Sequence, residues 1–184
     1  KYIGQIMPGD TASVSLNPLN IIAGQLYNFK IYTSQPNGQN DQLTANDTLI
    51  MNGVRTGLSG TLTVDPGQAA SATNFQDFAS LAQVLNNYGV CGPTTVNVAV
   101  GVYNEPIYLD NIPGLSATNN LVIDGIDSSQ VIVRHDGSVR YATLTFNGVS
   151  HVSVKNMTIE MTGTGDAVIF SGGSEYDTLS NCVS

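Results

Sequence analysis

Short apolar strands that recur at similar intervals after residue 92 constrain the fold of this 184-residue chain more than any other feature. In each repeat, alternating apolar residues lead to a Gly or an Asn, and these strand ends are Gly101, Gly125, Asn156 and Asn181. The intervals between them are 24, 31 and 25 residues. Repeats of this length predict a solenoid, in which each coil buries its apolar side chains against the next coil.

The last two repeats resemble each other most closely, since Val152–Met157 aligns with Asp177–Cys182 and both contain an Asn at the same position. A corner Asn can hydrogen-bond groups above and below it, so we expect Asn156 and Asn181 to form a structural ladder. Other apolar segments lie between the anchors, and they predict two or three short strands per coil. These segments are residues 107–109, 131–133, 142–146, 157–161 and 167–170.

One helix is predicted, over residues 74–88. Its apolar residues recur at three- and four-residue spacing and form one stripe: Phe75, Phe78, Ala79, Ala82, Leu85 and Tyr88. Asn74 is the expected N-cap with Asp77 three residues later, and Gly89 is the expected stop. A single amphipathic helix before many short strands suggests a lid over the open end of a β stack.

Residues before this helix read as strands and turns. Gln25–Thr33 alternates strictly, with Tyr27, Phe29 and Ile31 on one face, which indicates a half-buried strand. Thr61–Val64 is the expected last strand of this region, and Pro66-Gly67 marks a break. We therefore predict two domains, 1–66 and 67–184.

Charge and composition exclude several function classes. Only 11% of residues are charged, the net charge is −8, and the six Lys and Arg residues are scattered along the chain. Nucleic-acid binding is disfavoured because it depends on clustered phosphate contacts. No apolar run approaches membrane-spanning length, so no membrane insertion is expected in this segment. Abundant neutral polar residues suit a β-rich extracellular protein.

Cys91 and Cys182 are too few for a disulfide framework, and a solenoid would place them several coils apart. We expect both to be free, buried thiols. Both ends of the sequence fall inside strand-like patterns, so we expect a piece of a longer protein whose targeting signals lie outside it.

Three segments resemble known families. Residues 152–159 are similar to the coil consensus of pectate-lyase-like right-handed parallel β-helices. Residues 73–102 resemble the capping helix and first coil of β-helix domains in large surface proteins of Bacteroidota. Residues 2–64 resemble the later strands of a CARDB-type immunoglobulin-like module, through Gly4–Asp10 and Pro36–Thr48.

The resemblance implies an all-β fold: a partial Ig-like β-sandwich, then a capping helix and the first rungs of a right-handed parallel β-helix. It also implies a secreted protein of the bacterial cell surface, with the type IX secretion machinery as a partner.

β-helix proteins include carbohydrate-active enzymes, which use paired carboxylates or a carboxylate and a basic residue. The candidate residues here are Asp124, Asp127, Asp136, Glu160, Asp166, Glu175, Asp177, Arg134, Arg140, His135 and His151. No paired Asp motif recurs on consecutive repeats, and Asp124 and Asp127 sit at a turn, where Asp is common. We therefore predict no catalytic residues.

No metal or cofactor site is predicted either. His135 and His151 stand alone, without zinc-site spacing, and are expected in surface turns. Asn37–Asp41 and Asn46-Asp47 offer oxygen ligands for calcium, but tight loops require the same residues.

Three Asp-Thr-small or Asp-Thr-apolar segments match the O-glycosylation pattern of Bacteroidota, which makes Thr11, Thr48 and Thr178 possible O-glycosylation sites.

The sequence thus favours a structural or adhesive segment that binds extracellular glycans or surfaces without catalysis. A polysaccharide lyase or glycoside hydrolase is the first alternative, and a filament-forming structural subunit is the second. Two acids, or an acid and a base, facing one groove on adjacent coils would favour the enzyme. A face of Thr, Ser and Asn would favour the adhesin.

Overall fold

A computed structural model describes Thr11, Ser13, Ser15, residues 17–32, Ala45 and residues 48–184. These residues form an all-β structure with a single α-helix among them. The chain divides into two compact units, residues 1–22 with 26–54, and residues 23–25 with 55–184.

The first unit contains a two-stranded sheet of β1 (Leu26–Tyr32) and β2 (Thr48–Arg55). Tyr27 and Phe29 lie half-buried on the same side of β1, with ring centroids 6.2 Å apart, as the alternating pattern predicts. Ile31, which was expected on the same face, is 53% exposed. The segments 4–10, 36–44 and 46–47 lie outside the described residues. The Ig-like sandwich therefore stays a prediction.

The second unit is built from parallel strands. They are β3 (Leu58–Val64), β4 (Asn74–Phe75), β5 (Val90–Val98), β6 (Gly101–Tyr103), β7 (Ile107–Asp110), β8 (Leu121–Asp124), β9 (Val131–His135), β10 (Ala142–Asn147), β11 (Val152–Lys155), β12 (Thr158–Met161), β13 (Asp166–Ser171) and β14 (Thr178–Ser180). Sheet A has the order β4-β3-β5-β8-β11-β14, sheet B the order β6-β9-β12, and sheet C the order β7-β10-β13.

From β5 onward, successive strands belong to sheets A, B and C in turn, and this order repeats as far as β14. Val96 pairs with Ile123, Ile123 with Val154, and Val154 with Leu179, all in parallel. The predicted intervals of 31 and 25 residues agree with this register. The predicted interval of 24 residues disagrees with the register. Gly101 begins a strand of sheet B, and it pairs with Val131 rather than with Gly125.

The core lies between the three sheets. In most of these strands every second residue points inward, and Val96, Ile123 and Val133 are fully buried, as are Leu109 and Phe146. Burial of each such side chain contributes roughly 1.5–3 kcal/mol. Alternation of apolar and polar residues therefore fixes which side of each strand faces the core.

The position of β3 corrects the predicted domain boundary. Thr61–Val64 was expected to close the first domain, but Leu62 pairs with Val96 and the division between the units falls after Val54. The cause is burial, because Leu58, Leu62 and Val64 are at most 2% exposed in the core of the second unit. Pro66-Gly67 is therefore part of the connection between β3 and β4.

The helix α1 (Phe78–Tyr88) begins four residues later than predicted. Its N-cap is Asp77, whose Oδ1 accepts a hydrogen bond from the Ser80 N–H at 2.7 Å. Asn74 instead lies in β4, where its side-chain amide donates to backbone carbonyls, including that of Asp65. The helix ends at Gly89 as predicted, with φ at 69° and its N–H donating to the Leu85 carbonyl.

The helix packs on the first strand of sheet C. Its apolar stripe, with Phe78, Leu81 and Leu85, is buried, and α1 contacts β7, β3 and β4. The Asn86 amide donates to the Tyr108 carbonyl at 3.1 Å and accepts from the Asp110 N–H at 3.0 Å. The side chain of Asn86 thus satisfies the strand edge of β7 as a neighbouring strand would.

Across the part of the chain that the structure describes, no helix is both long enough and apolar enough to cross a lipid bilayer.

Candidate functional site

The outward side of sheet A carries two rows of mostly small polar residues, one residue from each of five successive strands. The first row is Thr61, Thr95, Val122, Ser153 and Thr178. The second row is Thr63, Asn97, Asp124, Lys155 and Ser180. All ten residues are half-buried or exposed. We call these ten residues the polar face.

The polar face presents a regular and electrically neutral array. Strands in a sheet lie about 4.8 Å apart, and every second residue of a strand repeats at about 6.6 Å. Asp124 and Lys155 form an ion pair at 3.1 Å, so their charges compensate each other. Within the described part of the chain, the side chains of Thr95, Asn97 and Ser153 make no hydrogen bond to protein. Their donors and acceptors are therefore available to a ligand.

A chain of side-chain hydrogen bonds runs along one corner of the stack, after sheet A. Asn181 donates to Asn156 at 3.2 Å, and Asn156 donates to Asp124 at 2.8 Å. Asn156 and Asn181 both have a left-handed backbone, with φ at 55° and 51°, which Asn tolerates better than most residues. The structure therefore brings the two predicted ladder residues together and adds Asp124 below them.

Asp124 is held as an anion by this arrangement. Burial acts to raise its pKa, but hydrogen bonds from Asn156 and the Ile126 N–H, together with Lys155, outweigh burial and hold the pKa below its usual value. The carboxylate therefore serves as an acceptor at the base of the ladder, and it lacks the raised pKa of a general acid.

A second ladder, which was not predicted from the sequence, lies at the carboxyl ends of the sheet C strands. Ser171 donates to Asn147 at 3.0 Å, and Asn147 donates to Asp110 at 2.7 Å. Each of the three residues precedes one with positive φ, namely Asn111, Gly148 and Gly172. A polar strand end followed by Asn or Gly is a signal that could have identified this ladder from sequence.

Most of the candidate acids have local structural roles. Asp127 accepts hydrogen bonds from Gln130 and from Ser129, which lower its pKa. Asp136 accepts from the Ser138 N–H at 2.9 Å, and contacts with Ser138 lower its pKa too. Among the described residues, no three His, Cys, Asp or Glu side chains are grouped so as to hold a metal ion.

One cavity gathers several candidates from successive turns of the chain. We call it the corner groove; its volume is about 460 Å³. Its lining residues are Asn104, Glu105, Pro106, Arg134, His135, Asp136, Ser138, Val139 and Thr162. Of these, Asn104 and Glu105 were missed from sequence, because only the pairing of β6 with β9 brings them beside Arg134.

Glu105 and His135 of the corner groove make hydrogen bonds that stabilise the fold. Glu105 accepts hydrogen bonds from the Phe78 and Ala79 N–H groups, each at 3.0 Å, at the start of α1. Burial raises its pKa, although these two hydrogen bonds act to lower it. His135 was expected in a surface turn but is only 7% exposed, and its Nε2 accepts from the Arg140 N–H at 3.2 Å.

His151 and Asp177 lie on adjacent turns at the corner that precedes sheet A. His151 is half-buried with φ at 60°, and its ring stacks on Tyr176 at 5.0 Å between centroids. Asp177 accepts from the Val152 N–H at 2.9 Å, and burial raises its pKa. Glu160, Asp166 and Glu175 lie elsewhere on β12, on β13 and before β14.

Both cysteines are free thiols in the structure. The predicted burial is wrong for Cys91, which is exposed and donates to the Gly57 carbonyl at 3.2 Å, because it points outward from β5. Cys182 is half-buried against the core.

The three possible glycosylation residues, Thr11, Thr48 and Thr178, are all exposed, and Thr178 lies on the polar face. The possible calcium loops at 37–41 and 46–47 fall outside the described residues.

Comparison with known proteins identifies no relatives, since no protein-family model, no curated protein and no solved structure matches this chain.

Proposed function

We propose that the second unit is the start of a right-handed parallel β-helix capped by α1, and that an Ig-like β-sandwich precedes it. The parallel pairing of strands and their cyclic order through three sheets support the β-helix. Right-handed connections between parallel strands are strongly favoured because strands twist in one direction, which supports the handedness.

On this fold we propose a structural and adhesive segment that binds glycans without catalysis or cofactor. The polar face is the observation that carries this proposal. Its residues are regularly spaced and balanced in charge, and the side chains of Thr95, Asn97 and Ser153 make no hydrogen bond to the described part of the protein. Sugar hydroxyls can exchange hydrogen bonds with such groups at many points, and many weak contacts sum to a useful avidity.

We further propose that the protein is secreted to a bacterial cell surface through the type IX machinery. Its low charge and abundant neutral polar residues support an extracellular location. The exposure of Thr11, Thr48 and Thr178 leaves their hydroxyls accessible for O-glycosylation, which is part of the same proposal.

Two charges placed on the polar face should weaken adhesion. The variant Thr95→Glu/Ser153→Glu puts carboxylates in the centre of the first row, where they disrupt the hydroxyl array and repel acidic surfaces. We expect at least a tenfold loss of binding to insoluble polysaccharides, since avidity falls steeply when several contacts are lost together.

The control is Val100→Glu/Thr118→Glu, which adds the same charge at two exposed positions away from the polar face. Circular dichroism verifies that both proteins fold. If the polar-face variant binds as well as the control, or if the unaltered chain binds no polysaccharide of a broad panel, the adhesive function through this face is wrong.

A polysaccharide lyase or glycoside hydrolase is the second candidate, and the corner groove is the observation that favours it. Glu105, Arg134 and Asp136 meet there from successive turns of the chain. New reducing ends or unsaturated products that vanish in Asp136→Asn would support the enzyme over the adhesin.

A further inference from the structure

The corner groove has the size and the construction of a small-ligand site. Its volume of about 460 Å³ lies within the usual range for ligand cavities. Three separate chain segments build it: residues 104–106, residues 134–139 and Thr162. Residues 134–139 begin in β9, and the other two segments directly follow β6 and β12. Because all three strands belong to sheet B, the lining is held on a rigid support.

Arg134 is oriented in this cavity but not neutralised. Its Nε donates to Asn104 Oδ1 at 2.7 Å, which fixes the plane of the guanidinium group. In the described part of the chain, no carboxylate lies within 4.0 Å of it, and its terminal nitrogens make no hydrogen bond to protein. Glu160, its partner in register on β12, does not pair with it. An arginine with a fixed plane and free donors can bind two adjacent acceptors at once.

The charges around Arg134 argue against an anionic ligand. Glu105 and Asp136 also line the cavity, so its formal charge is slightly negative, and the whole chain carries −8. An acidic sugar would be repelled by both carboxylates and by the general field of the protein.

The remaining lining residues supply both apolar surface and hydroxyl groups, and a sugar ring can contact both. Pro106 and Val139 supply apolar surface, and Ser138 and Thr162 supply hydroxyl groups. Thr162 Oγ1 donates to the His135 carbonyl at 3.2 Å, so its oxygen remains free to accept. A pyranose has hydroxyl groups at its edge and C–H groups on its faces, and such a lining can satisfy both.

We propose that the corner groove binds one unit of a neutral saccharide, with Arg134 donating to two adjacent hydroxyl groups and with Pro106 and Val139 against the ring. This site is separate from the polar face and involves no bond cleavage. It binds a soluble oligosaccharide through one well-defined contact, whereas the polar face depends on many weak contacts with an extended surface.

The test is a titration of the chain with soluble neutral hexasaccharides of glucose, mannose and xylose, followed by NMR and calorimetry. Galacturonate oligomers provide the acidic comparison. Arg134→Lys retains the charge but lacks the planar fork, so we expect at least tenfold weaker binding. The matched control is Arg140→Lys, since Arg140 stacks on Tyr108 and does not line the cavity. It should bind as the unaltered chain does.

Each outcome decides the proposal. The proposal is supported if the neutral hexasaccharides bind the unaltered chain and bind Arg134→Lys more weakly, but bind Arg140→Lys equally well. The proposal is wrong if both variants bind equally well, if galacturonate oligomers bind more tightly, or if no neutral hexasaccharide binds. Thr95→Glu/Ser153→Glu must retain hexasaccharide binding; if it does not, the saccharide binds on the polar face and the groove assignment is wrong. If only the proposal for the polar face is wrong, this titration still gives the expected result. The two proposals can therefore be tested independently.

Discussion

The side chain of Asn156 links three consecutive turns of the chain. It donates to Asp124 on the turn before and accepts from Asn181 on the turn after. Its left-handed φ of 55° brings the amide into line with both neighbours. Each hydrogen bond of this kind contributes about 0.5–1.5 kcal/mol, and an Ala in this backbone conformation costs about 1–2 kcal/mol more.

Asn156→Ala should therefore destabilise the chain by about 2–4 kcal/mol, because it removes both hydrogen bonds and strains the backbone. Asn156→Gly removes the hydrogen bonds without the strain, so it should cost less. Urea unfolding followed by circular dichroism measures both free energies. Equal midpoints for Asn156→Ala, Asn156→Gly and the unaltered chain would show that the ladder contributes nothing.

The same substitution has a second readout at Asp124. Its pKa lies below the usual value, partly because Asn156 donates to it. A lowered pKa in the folded chain means that Asp124 adds stability above its unfolded pKa, and that this stability is lost as the pH falls through its folded pKa. Without Asn156 the pKa should rise, and acidification should cost less stability. Carboxyl NMR titration tests the direction.

Residue types were sufficient to predict the ladder of Asn156 and Asn181, but they did not identify the N-cap of α1. Asn156 and Asn181 could be identified because two repeats share the same local sequence. At the helix, Asn74 and Asp77 are both good N-caps by type. The choice between them depends on β4, where the buried Asn74 amide donates to the carbonyls of Asp65, Gln68 and Ala69. Those contacts are tertiary, so a local pattern could not show them.

At the scale of elements, α1 and β7 are joined by a side chain of the helix and by a side chain that lies just before β7. Asn86 satisfies a carbonyl and an N–H on the edge of β7, and Glu105 accepts two N–H groups at the start of α1. The helix is thus held at both ends by polar contacts, in addition to its buried apolar stripe. An uncovered edge of β7 would be open to pairing with other chains.

Asn86→Ala should destabilise the chain by about 1–3 kcal/mol, since it leaves the Tyr108 carbonyl and the Asp110 N–H of β7 without partners. The amide hydrogen of Asp110 should also exchange faster with solvent. Asn87→Ala is the matched control, because Asn87 is the next helical residue and is exposed. Asp110 exchange that is the same in the two variants would contradict the proposed role of Asn86.

The elements show where sequence patterns stop being informative. Alternation identified most strands of sheets A, B and C, and the apolar stripe identified α1. Alternation did not identify β6, and the residues of β4 were assigned to the helix. The assignment of β3 failed because its partner β5 lies beyond the helix, and local turn residues such as Pro66 cannot show a long-range pairing. The corner groove also depends on a long-range pairing, so the sequence did not predict it. Asn104 and Arg134 come together only because β6 pairs with β9.

At the scale of the whole molecule, the chain combines a strongly negative net charge with a polar face that is locally neutral. The excess of eight negative charges weakens the approach of anionic polymers, and the Asp124–Lys155 pair leaves no net charge among the ten residues of the face. Neutral glycans are therefore the better partners for both proposed sites.

The stack itself depends on close spacing between successive turns, and Gly125 is a place where that spacing can be tested. A Cβ atom there would overlap the Asn156 carbonyl oxygen and lie 3.0 Å from Met157 Cβ, which would force β8 and β11 apart. Gly125→Ala should cost about 3 kcal/mol or more, because a packed interior does not yield to overpacking.

Gly101→Ala is the control, since its nearest side-chain atom lies 3.8 Å away and its φ is not left-handed. It should change the free energy of unfolding by less than about 1 kcal/mol. Urea and thermal unfolding compare the two. Equal stabilities would contradict the close approach of Gly125 to the Asn156 carbonyl, and with it the tight spacing of the stack on which both proposed binding sites depend.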